Sequence, residues 1–183
     1  MSKKVYVLLA EGFELIEAMT PIDVLRRGGA EVITVSITAH KEVTSSQKVT
    51  VIADTTIIEK DITDGDMLVL PGGYPGYINL GESQEVGNIL KHYAENNKFV
   101  GAICGAPTVL AKNGVFIGKE VTCHSSVAEE IKGYRYNGKE AFTDGKLITG
   151  MGAGLSLNFA FALAECLLDS ETILKVKKGM ELI

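Results

Sequence analysis

The sequence predicts an α/β fold in which a mostly parallel sheet is covered by helices on both faces. Two observations favour it. Short apolar runs rich in β-branched residues alternate with helical segments along the whole chain, and such runs are typical of parallel strands buried on both faces. The 183 residues, 46% apolar and 22% charged, also contain no linker, repeat or low-complexity tract. Residues 1–183 are therefore expected to form a single domain.

The first half of the chain begins with a strand and an amphipathic helix. Residues 5–10 are apolar, and Gly12 ends the run. Over residues 14–27 apolar side chains recur at helical spacing; Pro21 is expected to kink this helix or mark its start, and Gly28-Gly29 to end it. The remaining predicted elements of this half are strand 31–37, a polar loop or hairpin at 39–48, strand 49–53 and buried strand 67–70.

The second half continues the alternation. Ser83 is a typical N-cap for a helix over 83–96, and a buried strand at 98–103 runs into Cys104. The other predicted elements are a helix to about Lys112, strand 120–123, helix 125–132, short strands 134–136, 140–142 and 146–149, a glycine turn at 150–154, an apolar helix at 155–168 and a closing segment at 171–179. Because ligands bind beyond the carboxyl ends of parallel strands, the segments that follow these strands are expected to meet at one edge.

Composition excludes several functional classes. A net charge of −5 and a pI of about 5.3 argue against sequence-independent binding of nucleic acid or of anionic membranes. Three cysteines are too few, and odd in number, for a secreted disulfide scaffold. The apolar run after Lys4 is too short for a signal peptide and is broken by Glu11, and no stretch is long enough to span a membrane. A cytoplasmic protein is expected.

The most informative segment surrounds Cys104. A buried strand enters it, Ala102, Gly105 and Ala106 are small, and Pro107 suits the first turn of a helix. This pattern predicts a nucleophile elbow, in which a sharp strand-to-helix turn exposes a nucleophile. The helix N-terminus would lower the thiol pKa. The alternative is a small buried cysteine that fills a tight turn.

Three other positions are candidates for chemistry. Gly72-Gly73 follows a buried strand and could direct N–H groups at a developing negative charge, or form a plain turn. Glu17 lies on the apolar face of the first helix, where a carboxylate is costly unless it is protonated or paired; the alternative is a half-exposed glutamate. His124 follows a short strand and is either an acid or base, or a histidine bonded to backbone.

Metal and nucleotide binding are not expected. Adjacent Cys123 and His124 lack the usual spacing of metal ligands. The glycine run 150–154 comes after the last strand and does not match the dinucleotide fingerprint. The prediction is therefore a protein without a metal or cofactor.

At these residues the sequence resembles the ThiJ/PfpI superfamily, in the branch of the Parkinsonism-associated protein deglycase and its bacterial relatives. The resemblance covers nearly the whole chain. It rests on the order and spacing of Glu14-Leu-Ile-Glu17 with Pro21–Arg27, Leu70-Pro-Gly-Gly73, Ala102-Ile-Cys104-Gly-Ala-Pro107, Val121-Thr-Cys-His124 and Thr149–Gly154.

The resemblance implies a flavodoxin-like three-layer sandwich that forms a homodimer. It implies that Cys104 is the nucleophile and oxidation sensor, that Glu17 is hydrogen-bonded to it, and that His124 carries a proton nearby. The N–H groups of Gly73 and Gly105 would line an oxyanion pocket. Relatives are described as glyoxalases that need no glutathione, as deglycases and as redox-responsive chaperones.

The sequence departs from the family pattern at a basic cluster. Met151 and Gln47 stand where relatives carry arginine, and only Arg27 remains, so an anionic substrate would be held less well. Gly105 replaces the histidine of peptidase members, and no late His-x-Glu of a glutaminase is present.

The sequence therefore leaves two alternative functions open. One is a cofactor-independent enzyme that converts a small aldehyde, such as methylglyoxal, or a glycated group. The other is a redox-sensing chaperone that uses oxidation of Cys104 without turnover. In either case Glu17 is expected to be protonated at neutral pH and to donate to the Cys104 sulfur, and the thiol pKa to lie below its free value.

Overall fold

The computed structural model describes residues 2–183 and contains a seven-stranded sheet with helices on both faces. The strands are β1 (Lys4–Leu9), β2 (Glu31–Ser36), β3 (Glu42–Thr44), β4 (Thr50–Ile52), β5 (Thr55–Thr56), β6 (Met67–Leu70), β7 (Phe99–Ile103), β8 (Glu120–Val121), β9 (Arg135–Tyr136), β10 (Ala141–Asp144) and β11 (Leu147–Gly150). The helices are α1 (Leu15–Arg27), α2 (Gly76–Glu82), α3 (Gln84–Glu95), α4 (Pro107–Asn113), α5 (Ser156–Leu167) and α6 (Ser170–Gly179).

The main sheet has the strand order β10-β11-β7-β6-β1-β2-β5. Every pairing in it is parallel except that of β10 with β11. Strands β3 and β4 form a separate antiparallel hairpin, and β8 pairs with β9 in a small parallel ribbon. The parallel order places the carboxyl ends of β1, β6, β7 and β11 along one edge.

Strand β1 shows how the sheet separates two apolar cores. Val5, Val7 and Leu9 point into the core formed with α1, α5 and α6. Tyr6 and Leu8 point into the core formed with α2, α3 and α4. Because successive side chains of a strand face opposite sides, an unbroken apolar run supplies both cores. The result is three layers, helix–sheet–helix.

Most predicted elements are confirmed, with ends that move by one to three residues. The Ser83 hydroxyl accepts from the Val86 N–H at the start of α3, which confirms the predicted cap. The predicted helix over 125–132 is wrong: only a 3₁₀ turn forms at Ser125–Val127. Pro21 does not mark a helix start, because α1 begins at Leu15 and runs through it.

The sequence interpretation missed two elements, β5 and α2. Strand β5 has only two residues, too few for a periodic pattern. Helix α2 has glycine at positions 76 and 81 and follows Pro75, a composition that favours a turn. It forms because Leu80 is buried in the core.

No helix within residues 2–183 is long and apolar enough to cross a membrane.

Candidate functional site

The candidate site lies at the carboxyl edge of the main sheet, around Cys104. The Cys104 N–H donates to the Gly150 carbonyl at 2.9 Å, which ties the end of β7 to the end of β11. The Cys104 carbonyl accepts from the His124 N–H, also at 2.9 Å. The turn that carries the sulfur is therefore held by backbone hydrogen bonds on both sides.

Cys104 adopts the left-handed backbone conformation, with φ of +64°. This conformation costs a residue with a Cβ about 1–2 kcal/mol, so the surrounding structure must impose it. Helix α4 begins three residues later with Pro107 at its first position. The sharp strand-to-helix turn predicted from the sequence is present, and it leaves the Cys104 side chain only partly buried.

Two glycines let the chain pack closely around this turn. A Cβ on Gly72 would lie 2.7 Å from both the Cys104 Cβ and Glu17 Oε2. A Cβ on Gly105 would lie 2.5 Å from the Tyr77 ring. These positions accept only glycine without movement, because real Cβ atoms do not approach other atoms this closely.

Glu17 is fully buried and is held in a closed set of three hydrogen bonds. Glu17 Oε2 accepts from the Gly72 N–H at 2.9 Å. The Gly72 carbonyl accepts from the Glu14 N–H at 2.9 Å, and Glu14 Oε2 accepts from the Glu17 N–H at 2.8 Å as the N-cap of α1. The start of α1 and the turn after β6 are thereby fixed to each other.

Burial raises the pKa of Glu17 to about 7; the Cys104 thiol and the Gly72 N–H lower it, and the Glu14 charge raises it further. Oε1 is buried and accepts no hydrogen bond from residues 2–183, although Cys104 lies close enough to affect the carboxyl pKa. A buried carboxyl oxygen without a donor favours the protonated form. Near neutral pH the carboxyl group is therefore poised between its two states.

The expectation of a lowered thiol pKa is wrong, because burial of Cys104 outweighs the effect of the helix N-terminus. Burial raises the pKa of the Cys104 thiol to about 12, and the charge and close approach of the Glu17 carboxyl group raise it as well. The N–H groups of Gly105 and Gly73 face the sulfur and act in the opposite direction. Because Glu17 and Cys104 oppose each other's ionisation, the two groups titrate as a pair.

His124 is exposed and lines the pocket above the cysteine. Its Nδ1 accepts the Ser126 N–H at 3.2 Å and lies 2.8 Å from the Ser126 hydroxyl. A backbone N–H can only donate, so in the neutral ring the hydrogen-bond pattern assigns the proton to Nε2. A neutral His124 held this way can donate a hydrogen bond from Nε2, whereas its Nδ1 already accepts from the Ser126 N–H.

The pocket has a volume of about 300 Å³, and its lining includes no Lys, Arg, Asp or Glu. Its lining consists of Gly73, Tyr74, Tyr77, Cys104, Gly105, His124, Ser126 and Val127. Arg27 pairs with Asp23 at 2.8 Å, and Gln47 accepts from the Leu15 N–H at the start of α1. Neither Arg27 nor Gln47 belongs to the lining of this pocket.

The structure thus brings Cys104, Glu17, Gly73, Gly105 and His124 to one place. The sequence interpretation missed the two tyrosines and Ser126. The tyrosines lie in the segment Tyr74-Pro-Gly-Tyr77, directly after Gly72-Gly73, and that adjacency was the available signal. Among residues 2–183 no group of three or more metal-ligating side chains comes together.

The profile of the DJ-1/PfpI family matches residues 3–166. The chain belongs to the DJ-1/PfpI family. "Protein dj-1beta" of Drosophila melanogaster is 38% identical over 182 residues, which cover 98% of this chain and 97% of that protein. The crystal structure of Drosophila melanogaster DJ-1beta matches this fold with a TM-score of 0.95 and covers 98% of both chains.

A second relative bears on activity. "Glutathione-independent glyoxalase DJR-1.2" of Caenorhabditis elegans is 31% identical over 168 residues, which cover 90% of this chain and 89% of that protein. These likenesses confirm the predicted superfamily and the flavodoxin-like sandwich of the DJ-1/PfpI family. They support a function of the DJ-1 type for this chain.

Proposed function

We propose that this protein is a cofactor-independent enzyme that converts reactive 2-oxoaldehydes such as methylglyoxal into 2-hydroxy acids, with Cys104 as the nucleophile. One observation carries the proposal. A cysteine held in the left-handed conformation at a strand-to-helix turn faces a buried carboxyl group whose pKa is raised to about 7. The glyoxalase name of the relative from C. elegans agrees with this chemistry.

In the first step the Cys104 sulfur adds to the aldehyde carbon. A C–S bond forms, the carbonyl π bond breaks, and its electron pair moves to the oxygen. The N–H groups of Gly73 and Gly105 stabilise that oxyanion, and the proton held by the Glu17–Cys104 pair neutralises it to give a hemithioacetal.

In the second step a proton moves between two carbons of the substrate. Glu17, now a carboxylate, removes the proton of the former aldehyde carbon; the electrons of that C–H bond form a C=C bond and the ketone oxygen takes the hydroxyl proton, which gives an enediolate. Glu17 then returns its proton to the ketone carbon as the remaining enediolate oxygen re-forms a carbonyl. The first carbon becomes a thioester and the second an alcohol, so one is oxidised as the other is reduced and no external oxidant is needed. Water hydrolyses the thioester, which releases the 2-hydroxy acid and restores the thiol.

His124 has a narrower role in this proposal. Its Nε2–H donates to an oxygen of the bound substrate, while Ser126 holds the ring orientation. Because Nδ1 is already occupied, the proton between the carbons travels by way of Glu17. Replacement of His124 by alanine should therefore cost less activity than replacement of Glu17.

Turnover of methylglyoxal tests the proposal. We expect the wild type to form many equivalents of lactate per chain, and Cys104→Ser to form none. Glu17→Gln should lose roughly 10²- to 10⁴-fold in rate, as expected for removal of a general base. Cys166→Ser is the matched control, because Cys166 is also partly buried but lies on α5. Equal turnover by wild type and Cys104→Ser would contradict the proposal.

A redox sensor is the second candidate, and one feature favours it. The Gly73 and Gly105 N–H groups that face the sulfur would also accommodate the oxygens of a sulfinate, and Glu17 would donate to one of them. Two equivalents of hydrogen peroxide convert the thiol into the sulfinic acid and yield two waters. One-for-one modification by methylglyoxal without lactate, together with stable sulfinate formation on Cys104, would favour the sensor over the enzyme.

A further inference from the structure

We propose that Tyr74 and Tyr77 form an aromatic clamp over Cys104 that makes the site selective for aryl-substituted 2-oxoaldehydes over three-carbon ones. This inference rests on the proposed function and specifies its substrate class. It begins with the two tyrosines in the lining of the Cys104 pocket, which supply its largest side chains.

The two rings form a tilted pair that contributes to the lining of the pocket. Their centroids lie 6.4 Å apart at an interplanar angle of 59°. Aromatic pairs in proteins interact at centroid distances of about 4.5–7 Å, and edge-to-face and tilted arrangements are favourable. A third ring that enters beside them can contact both tyrosines while its carbonyl group reaches the sulfur.

The two tyrosines differ in how firmly they are held. Tyr77 is partly buried, its N–H donates to the Gly73 carbonyl at 2.9 Å, and its ring lies against the backbone of Gly105. Tyr74 is 73% exposed. When an apolar ligand covers a large aromatic side chain that is otherwise exposed to water, the burial of apolar surface stabilises the complex. Tyr77 therefore forms the fixed part of the clamp and Tyr74 the adjustable part.

The pocket is also larger than methylglyoxal requires. Its volume is about 300 Å³, whereas one water takes up about 30 Å³ in the liquid, so a three-carbon dicarbonyl would leave most of it filled with water. An added phenyl group would replace that water. Since the lining contains no charged side chain, the group that fills the pocket should be neutral and apolar.

The first experiment measures binding without turnover. Iodoacetamide and its N-phenyl derivative alkylate a thiol by the same reaction, in which the C–S bond forms and iodide leaves. The ratio of their rates at Cys104, divided by the ratio for free glutathione, isolates the contribution of the phenyl group. For the wild type we expect this normalised ratio to be about 2 to 10, which corresponds to the 0.5–1.5 kcal/mol of one aromatic pair.

Variants assign that ratio to the clamp. Tyr74→Ala, which alters an exposed side chain, and Tyr77→Leu should bring the ratio towards one. Tyr77→Phe should preserve it, because the ring remains. Tyr136→Ala is the matched control, since Tyr136 is 43% exposed and lies on β9 outside this lining. A wild-type ratio of one, or a ratio that Tyr74→Ala and Tyr77→Leu leave unchanged, would overturn the clamp.

The second experiment compares phenylglyoxal with methylglyoxal as substrates. We expect kcat/KM to favour phenylglyoxal in the wild type and the preference to fall in Tyr74→Ala. Turnover of both aldehydes with no preference would overturn the substrate class while leaving the proposed function intact. Selective labelling with no turnover of either aldehyde would contradict the proposed function and retain the clamp as a binding site for aromatic electrophiles.

Discussion

At the scale of single residues, the site depends on the Glu17 carboxyl group and the Cys104 thiol, which oppose each other's ionisation. Two of the influences that raise the thiol pKa come from Glu17 in its charged form. A proton on Glu17 removes the charge and converts the carboxyl group into a donor. A proton on Glu17 should therefore lower the pKa of the Cys104 thiol, although burial, the largest cause of the raised pKa, remains.

Two uncharged replacements of Glu17 separate these states. Both Glu17→Gln and Glu17→Leu remove the charge, but only Gln retains a donor, so we expect the thiol pKa to be lower in Gln than in Leu. The ultraviolet absorbance of the thiolate, followed against pH, measures the thiol pKa. If Glu17 donates in the wild type, the wild-type thiol pKa lies below that of Glu17→Leu. A wild-type value above that of Glu17→Leu would show a carboxylate and contradict the proposed donor.

The raised pKa of Glu17 also predicts how stability depends on pH. The pKa of Glu17 is 4.5 in the unfolded chain and about 7 in the folded chain. The contribution of the protonated carboxyl group to stability is therefore fully present below about pH 4.5 and is lost as the pH rises through about 7, because the buried group then ionises. The shift corresponds to about 3 kcal/mol at most. Urea unfolding should show the wild type losing stability over this range relative to Glu17→Gln. A constant difference between the two proteins would contradict the raised pKa.

Glu14 tunes Glu17 through both its charge and its hydrogen bond. Glu14→Gln retains an oxygen that can accept from the Glu17 N–H but removes the charge that raises the Glu17 pKa. We expect the apparent pKa of the Glu17–Cys104 pair to fall and the fold to remain stable. The pH profile of Cys104 alkylation measures it; an unchanged profile would show that the charge of Glu14 is not felt at the site.

At the scale of elements, the ends of β6, β7 and β11 and the start of α1 are joined by backbone hydrogen bonds. Their close approach depends on Gly72, whose missing side chain leaves room for Cys104 and Glu17. The side chains of Glu17 and Cys104, which belong to separate elements, thereby lie next to each other at the carboxyl edge of the sheet. The chemistry of the site thus follows from how tightly two turns pack.

Gly72→Ala tests this packing. Its Cβ would lie 2.7 Å from the Cys104 Cβ and 2.9 Å from the Ile103 carbonyl oxygen, so the turn must move. We expect a loss of about 1–3 kcal/mol in the free energy of unfolding, typical of overpacking, and slower alkylation of Cys104. Gly154→Ala is the control, because nothing lies within 4 Å of its added Cβ. Equal stability of the two variants would contradict the packing argument.

At the scale of the whole molecule, the expected homodimer is the main prediction. Helix α1 packs against α5, yet Ile16 on α1 is 47% exposed. Ile16 is therefore the residue of α1 chosen to test whether a second copy covers this helix.

Light scattering at micromolar concentrations tests the dimer. We expect a mass near twice the 19.6 kDa of one chain, and a shift towards one chain in Ile16→Lys. Leu174→Lys is the control, because Leu174 is similarly exposed, at 44%, but lies on α6. A mass of 19.6 kDa for the wild type at every concentration would refute the dimer.

The sequence by itself was sufficient for the layered fold and for the turn at Cys104. Both depend on local patterns: apolar runs of strand length, helical spacing, and small residues followed by Pro107. The parallel order also implied that the segments after β6, β7 and β11 meet. The helix predicted at 125–132 failed because short segments without a strong period take their conformation from their surroundings.

Only the tertiary structure decided the electrostatics and the shape of the site. No local sequence pattern reveals three features of the site. These are the hydrogen bond from the Gly72 N–H to Glu17, the tautomer of His124, and the position of the two tyrosines beside Cys104. The direction of the Cys104 pKa shift was predicted wrongly for the same reason. A helix N-terminus is visible in the sequence, whereas the burial and the neighbouring charge that outweigh it arise from segments that become neighbours only on folding.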